Sequence, residues 1–184
     1  TIEPGSNEMG APSDRGYPDE RPRHKVSFSY AVEVAQTQVT QGLYEATMDH
    51  NPSFFQGEQL PAGEDAFDRP VEQLSWLEAV HLCNALSELD ERPLAYEISE
   101  DGVRWIQDSS GYRLPTEAEW ERFASANSET SYAGSENADE VAWHGETAGG
   151  KTHPVASLAP NQHQLYDCSG NIWEWCFDHW DAQA

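Results

Sequence analysis

Gly111-Tyr112-Arg113-Leu114-Pro115-Thr116-Glu117-Ala118-Glu119-Trp120-Glu121 carries the clearest local instruction in the chain. Thr116 with Glu119 three residues later forms a capping box, in which each side chain satisfies a backbone N–H at the start of a helix. The helix that follows carries Trp120, Phe123 and Ala124 toward a core. Glu117 and Glu121 share one face at i, i+4 spacing, which raises the question of a carboxylate pair. Glu119 already has a structural task as the third residue of the box, so the block reads as architecture.

Working outward, Ser75-Trp76-Leu77-Glu78 repeats the capping-box pattern. It opens a helix whose apolar positions are Leu77, Val80, Leu82, Ala85, Leu86 and Leu89. Between the two boxes, Tyr96-Glu97-Ile98 and Val103-Arg104-Trp105-Ile106 read as two short strands around the turn pair Asp101-Gly102. Residues 26–34 alternate as Val26, Phe28, Tyr30, Val32 and Val34, the period of a strand with one buried face. Thr40 stands as the N-cap of a helix over residues 41–48, and His50-Asn51-Pro52-Ser53 breaks it. Residues 56–70 and 125–165 are rich in Gly, Ser, Asn and charged residues and predict long surface-winding segments. The run Ile172-Trp173-Glu174-Trp175-Cys176-Phe177 predicts a strand, with Ile172 and Glu174 on one face and Trp173 and Trp175 turned to the core.

Composition bounds the partners. The 184 residues suit one domain, and seven Trp, seven Tyr and six Phe mark a folded chain rather than a disordered one. Ten Lys and Arg stand against 33 Asp and Glu, a formal net charge of −23. Phosphate-backbone binding needs basic residues, so no nucleic acid is expected, and anionic membrane surfaces are excluded likewise. The acidity fits a salt-adapted surface, or an acidic part whose basic complement lies elsewhere. Cys83, Cys168 and Cys176 are too scattered for a disulfide framework or a zinc site, and the seven histidines show no ligand spacing.

Two blocks then carry a resemblance. Residues 111–121 look like the "GYRLPTEAEWE" signature of the formylglycine-generating enzyme, or sulfatase-modifying factor, family. Leu165-Tyr166-Asp167-Cys168-Ser169-Gly170-Asn171-Ile172-Trp173-Glu174-Trp175-Cys176 resembles its "GLYDMSGNVWEWC" block. Shorter matches at Met9-Gly10, Val39-Thr40, Asn51-Pro52-Ser53 and Pro70-Val71-Glu72 run in the family's order, so that nearly the whole chain is covered. The resemblance implies a single α+β domain over residues 1–184, of the C-type-lectin-like, sulfatase-modifying-factor type, with little regular secondary structure. It also implies that the family's last strands and Arg-rich segment are missing from this stretch.

The resemblance further places Asp167, Gly170, Ile172 and Glu174 at positions where relatives bind a structural calcium, through the two acidic side chains and two main-chain carbonyls. Calcium prefers several oxygen ligands, and a bending chain can present this spacing around one point. Read without the resemblance, Asp167 and Glu174 are surface acids beside a Gly-Asn turn. Catalytic relatives bind copper(I) through two cysteines of the Arg-rich segment, and no cysteine here matches them. Copper is therefore expected only if a further segment supplies those thiols, and Cys83, Cys168 and Cys176 read as small buried hydrophobes. Three functions stay open on this footing. One is a non-catalytic binding or regulatory module with a protein or peptide ligand, possibly the remainder of its own polypeptide. Another is a fragment of a copper- and O2-dependent oxidase acting on sulfatase cysteine. The last is a diversity-display protein of the same fold.

Overall fold

A computed structural model describes residues 1–12, 14 and 16–179. Regular structure is sparse and local. Strands β1 (Gly5–Met9) and β2 (His24–Phe28) form one antiparallel pair, with Asn7 opposite Val26. Strands β3 (Tyr96–Ser99) and β4 (Gly102–Trp105) form another, with Tyr96 opposite Trp105. The helices are α1 (Gln41–Met48), α2 (Trp76–Leu89), α3 (Glu117–Ser125) and the single turn α4 (Ala138–Val141). No described helix is long and apolar enough to cross a membrane.

Each main helix begins where its cap predicts. Thr40 Oγ1 accepts from the Leu43 N–H at 3.2 Å, and Ser75 Oγ accepts from the Glu78 N–H at 3.2 Å. At the head of α3, Thr116 Oγ1 accepts from the Glu119 N–H while Glu119 Oε2 accepts from the Thr116 N–H at 2.9 Å. These bonds satisfy donors that a helix start otherwise leaves unpaired.

Among the described residues, apolar burial is divided among three clusters rather than one slab. One gathers Val80, Cys83, Ala95 and Tyr96, with Trp76, Trp105 and Phe177 packed on it. A second joins Ile2, Phe123 and Leu165, and a third joins Tyr44, Val71 and Leu82 between α1 and α2. The long segment after α3 is held by polar side chains instead of a ladder. Asn161 Nδ2 donates to the Phe123 and Ala124 carbonyls at 2.7 and 3.0 Å, closing the end of α3, and its Oδ1 accepts from the His163 and Leu165 N–H groups.

Three expectations are corrected. The strand expected over residues 26–34 ends at Phe28. Tyr30 instead turns its hydroxyl to Glu119 at 2.8 Å, and Val32 makes an isolated bridge to Ile2. The hairpin turns one residue earlier than expected, on Glu100 and Asp101, with Gly102 opening β4 at φ 127°, a conformation glycine tolerates. Residues 172–177 form no strand, and the core-facing pair is reversed: Trp173 is 100% exposed and Trp175 is 50% exposed. The cause is the inward turn of the Glu174 carboxylate between Gln38 and Trp120, which sends its two neighbours outward.

Candidate metal centre

The closing block bends because its backbone leaves the right-handed regions three times. Asp167, Gly170 and Asn171 have φ of 58°, 93° and 63°. At residue 170 only glycine fits, since an added Cβ would lie 2.3 Å from the Trp143 carbonyl oxygen. Asn171 fixes the bend from outside. Its N–H donates to the Trp143 carbonyl at 2.9 Å, its Oδ1 accepts from the His153 N–H at 2.9 Å, and its Nδ2 donates to the His153 carbonyl at 3.1 Å.

The bend gathers four oxygens around one atom, Nε2 of Gln38. The carbonyls of Asp167, Gly170 and Ile172 lie 3.3, 3.4 and 3.5 Å from it, and Glu174 Oε1 lies at 2.9 Å. All four residues expected from the sequence therefore meet. One contributes a different atom: Asp167 faces the centre with its carbonyl, while its carboxylate turns away and accepts the Ala156 N–H at 2.8 Å. Gln38, the fifth member, was not foreseen. It lies far from the block in sequence, and no local pattern connects position 38 with positions 167–174.

Residues 167–174 and Gln38 carry two carboxylates and no cationic side chain. Burial pushes the Glu174 carboxyl above its ordinary range, and nearby Asp167 adds to this, against the hydrogen bonds from Gln38 and Trp120. Glu174 is exposed as a residue, but its carboxylate is the part turned inward, so desolvation is the dominant cause. Burial likewise raises Asp167, eased by the Ala156 N–H.

Does the donor set fit a cation? An amide nitrogen carries two hydrogens, too few for four oxygen acceptors, and Gln38 Oε1 is buried without a hydrogen-bond partner. Three carbonyls and a carboxylate are hard donors of the kind calcium takes. The residues fit. No cluster of three or more His, Cys, Asp or Glu side chains suited to a metal occurs among the described residues, because this centre is built mainly from carbonyls.

The thiols lie in other settings. Cys83 is buried in the α2 cluster, and burial pushes its thiol up to about 12. Cys168 packs against the Ile2 cluster, its thiol raised to about 12 by burial and then by Glu174 and Asp167. Cys176 is raised to about 12 by burial, then by Asp178, Glu117, Glu174 and Glu119.

A family model described as the sulfatase-modifying factor enzyme 1-like domain matches residues 1–184. The chain belongs to this family. Among curated relatives, the chaperone protein LppX of Paenibacillus barcinonensis is 33% identical over 180 residues, covering 79% of this chain and 61% of its own length. The formylglycine-generating enzyme of Streptomyces coelicolor is 40% identical over 99 residues, 41% of this chain and 28% of that protein. The chain thus spans less than two thirds of the length of either relative. Treponema denticola variable protein 1 superposes with a TM-score of 0.85 at 30% identity, covering 96% of this chain and 70% of that one. PvdO from Pseudomonas aeruginosa, at 24% identity and a TM-score of 0.70, shares the fold. The sulfatase-modifying-factor, C-type-lectin-like fold is accordingly the fold of this chain, a mixture of short helices and two-stranded sheets.

Proposed function

We propose that this sulfatase-modifying-factor domain is a binding or regulatory module for a protein or peptide ligand, stabilised by calcium, and not itself an oxidase. The observation that carries the reading is the setting of its thiols. Copper(I) binds soft thiolates. Here each thiol is desolvated, and two of the three also face carboxylates, so all three stay protonated near neutrality. Calcium would be held by the carbonyls of Asp167, Gly170 and Ile172 and the carboxylate of Glu174. There it would supply the positive charge that residues 167–174 and Gln38 lack.

A second reading, part of a copper-dependent formylglycine-generating oxidase, is favoured by the identity to the Streptomyces coelicolor enzyme. Its copper thiols would then come from the rest of a longer protein. A third, diversity display, is favoured by the TM-score of 0.85 to the Treponema variable protein. The test loads residues 1–184 with copper(I) and assays a Cys-x-Pro-x-Arg peptide by mass spectrometry. No formylglycine above a no-protein control is expected. Product that disappears in Cys168→Ser or Cys176→Ser overturns the proposal. The calcium part is tested separately by melting: millimolar calcium should raise the melting temperature of the chain but not of Glu174→Ala.

A further inference from the structure

We infer that the cleft between residues 1–6 and the end of α3 is a carboxylate-binding site, in which Arg122 takes a carboxyl group presented by a peptide, at its C-terminus or on an acidic side chain. The inference rests on the peptide-ligand reading above and deepens it by naming one chemical group and the residue that meets it. Calcium has no part in it.

Three observations carry it. A cleft of about 350 Å³ is lined by residues 1–6 together with Arg122, Asn127 and His163. Arg122 is 5% exposed yet forms no ion pair among the described residues, whereas the enclosed Arg69 and Arg113 each hold a glutamate. In a chain with 33 acids this is not a shortage of carboxylates. A buried charge is costly unless it is paired, and the carbonyl end of α3, whose last turn carries Arg122, offsets only part of that cost. The third observation is idle donors on the cleft wall. Arg122 Nη2 donates to the Glu3 carbonyl, but Nε is enclosed without a partner and Nη1 bonds to no described residue. Nε2 of His163 is likewise enclosed without a partner.

The guanidinium is held in place without being neutralised. It lies over the Phe28 ring, 4.7 Å from the centroid, and a Cβ at residue 5 would come within 3.1 Å of Nη2, so Gly5 lets β1 pass close to it. A planar, permanently charged fork matches a carboxylate in shape as well as sign. One cation balances one negative charge. Glu3, the one acid among the lining residues, and the net charge of −23 oppose a dianionic phosphate more strongly than a carboxylate. Ile2 and Pro4 give the cleft an apolar wall for the carbon atoms next to the carboxyl group. Burial first, and then the charge of Arg122, hold the His163 imidazole below its ordinary pKa. A carboxylate bound at Arg122 offsets that charge and should bring the imidazole back up.

The opposing reading makes Arg122 only a tie between α3 and the Glu3 carbonyl. The two differ in how Arg122 responds to a free carboxylate. The 184-residue chain is titrated with four probes: acetyl-Ala-Ala with a free C-terminus, its C-terminal amide, acetyl-Ala-Asp-Ala-amide, and inorganic phosphate. Nitrogen–proton NMR follows the Arg122 Nε–H and the His163 ring. Saturable, millimolar shifts of the Arg122 signal are expected with a carboxylate peptide and none with the neutral amide. The His163 pKa should rise in the bound state. The tighter of the two carboxylate peptides identifies the source, C-terminus or side chain. Arg122→Lys keeps the charge but not the fork and should bind about tenfold more weakly, the worth of one charged hydrogen bond. Arg122→Gln should bind neither peptide, and if it does not fold, the signals of the parent decide. No response of Arg122 to either carboxylate peptide, or an equal response to the amide, overturns the inference and leaves the binding-module reading standing. Phosphate binding more tightly than both peptides overturns the choice of carboxylate. The binding-module reading itself fails on formylglycine formation, so the two failures are read by different assays.

Discussion

Arg113 grips Glu119 through two parallel hydrogen bonds, Nη1 to Oε2 at 2.7 Å and Nη2 to Oε1 at 2.6 Å. The Glu119 side chain is 0% exposed, and it also accepts from the Tyr30 hydroxyl and the Thr116 N–H. One carboxylate thus joins the segment after β2, the loop before α3 and α3 itself. Burial pushes its carboxyl up, but Arg113, Thr116 and Tyr30 together outweigh that and hold it below the usual range. Breaking a buried pair from one side leaves the other charge unpaired, at a cost of about 3–5 kcal/mol. Glu119→Gln should therefore lower stability in urea unfolding by roughly that amount. Arg113→Lys should lose a good part of it, because an ammonium cannot reproduce the fork. A loss below about 1 kcal/mol for Glu119→Gln would mean that the hydrogen bonds, not the charge, hold the junction.

Glu121, two residues on, shifts the other way. Burial raises its carboxyl above the ordinary range, the Gly10 N–H at 2.8 Å opposes this, Glu117 and Glu20 add to the rise, and His24 opposes it. A carboxyl whose folded pKa is raised contributes stability that is complete below its unfolded pKa and is lost as pH rises through the folded value. At neutral pH, ionised Glu121 therefore weakens the fold. Glu121→Gln keeps an acceptor for Gly10 and removes the charge. It should melt higher than the parent at pH 7, with the difference vanishing toward pH 4. An equal melting temperature at both pH values would show that Glu121 is solvated in solution.

Caps were readable because they are local. Thr40, Ser75 and Thr116 each specify a helix start within four residues, and all three starts agree. The four ring residues at 167–174 were readable through the family pattern, though not which atom of Asp167 faces inward. That depends on φ at residue 167 and on the Ala156 N–H, both set by tertiary contacts. The outward Trp173 was missed for a related reason. Alternation gives the period of an extended segment, but its phase is set by what anchors it, and here the anchor is the Glu174 carboxylate. Gln38 left no trace in sequence, since the side chain on which the four oxygens converge comes from a separate segment.

The net charge of −23 should appear in the salt dependence of stability. Several ion pairs, such as Arg104–Glu97 and Arg23–Glu129, are on the surface and contribute little. The excess of acids is left to repel across the surface, and salt shortens that repulsion to about 10 Å at 0.1 M and about 3 Å at 1 M. The chain in EDTA should melt several degrees higher in 1 M KCl than in dilute buffer, a rise of about 2–4 °C for each 1 kcal/mol in a domain of this size. A flat or falling profile would show that the acids are neutralised locally.

Phe177 gives the last test, because it shows what fixes the closing segment without a strand. Its ring stacks on Tyr96 with centroids 5.4 Å apart and planes 15° apart, meets the Trp105 edge at 5.4 Å, and tilts against Trp76 at 5.8 Å. Its N–H donates to the Pro115 carbonyl at 2.8 Å, one residue before the cap of α3. Segment 172–177 is thus held chiefly by the Glu174 carboxylate and by this ring, with Trp175 Nε1 donating to the Leu74 carbonyl at 3.1 Å, Trp76 Nε1 donating to the Cys176 carbonyl at 2.9 Å, and the Trp173 indole left to solvent. Each aromatic contact adds about 0.5–1.5 kcal/mol beyond area burial. Truncating a buried phenylalanine costs about 3–5 kcal/mol, and the partial exposure of Phe177 favours the lower end. Phe177→Ala should therefore destabilise the chain by about 3 kcal/mol and change the near-ultraviolet circular dichroism of Trp76 and Trp105. Phe177→Leu should recover part of the stability without the aromatic signal. If Phe177→Ala costs less than 1 kcal/mol while Glu174→Ala remains costly, the carboxylate alone anchors the segment and the ring is only a passenger.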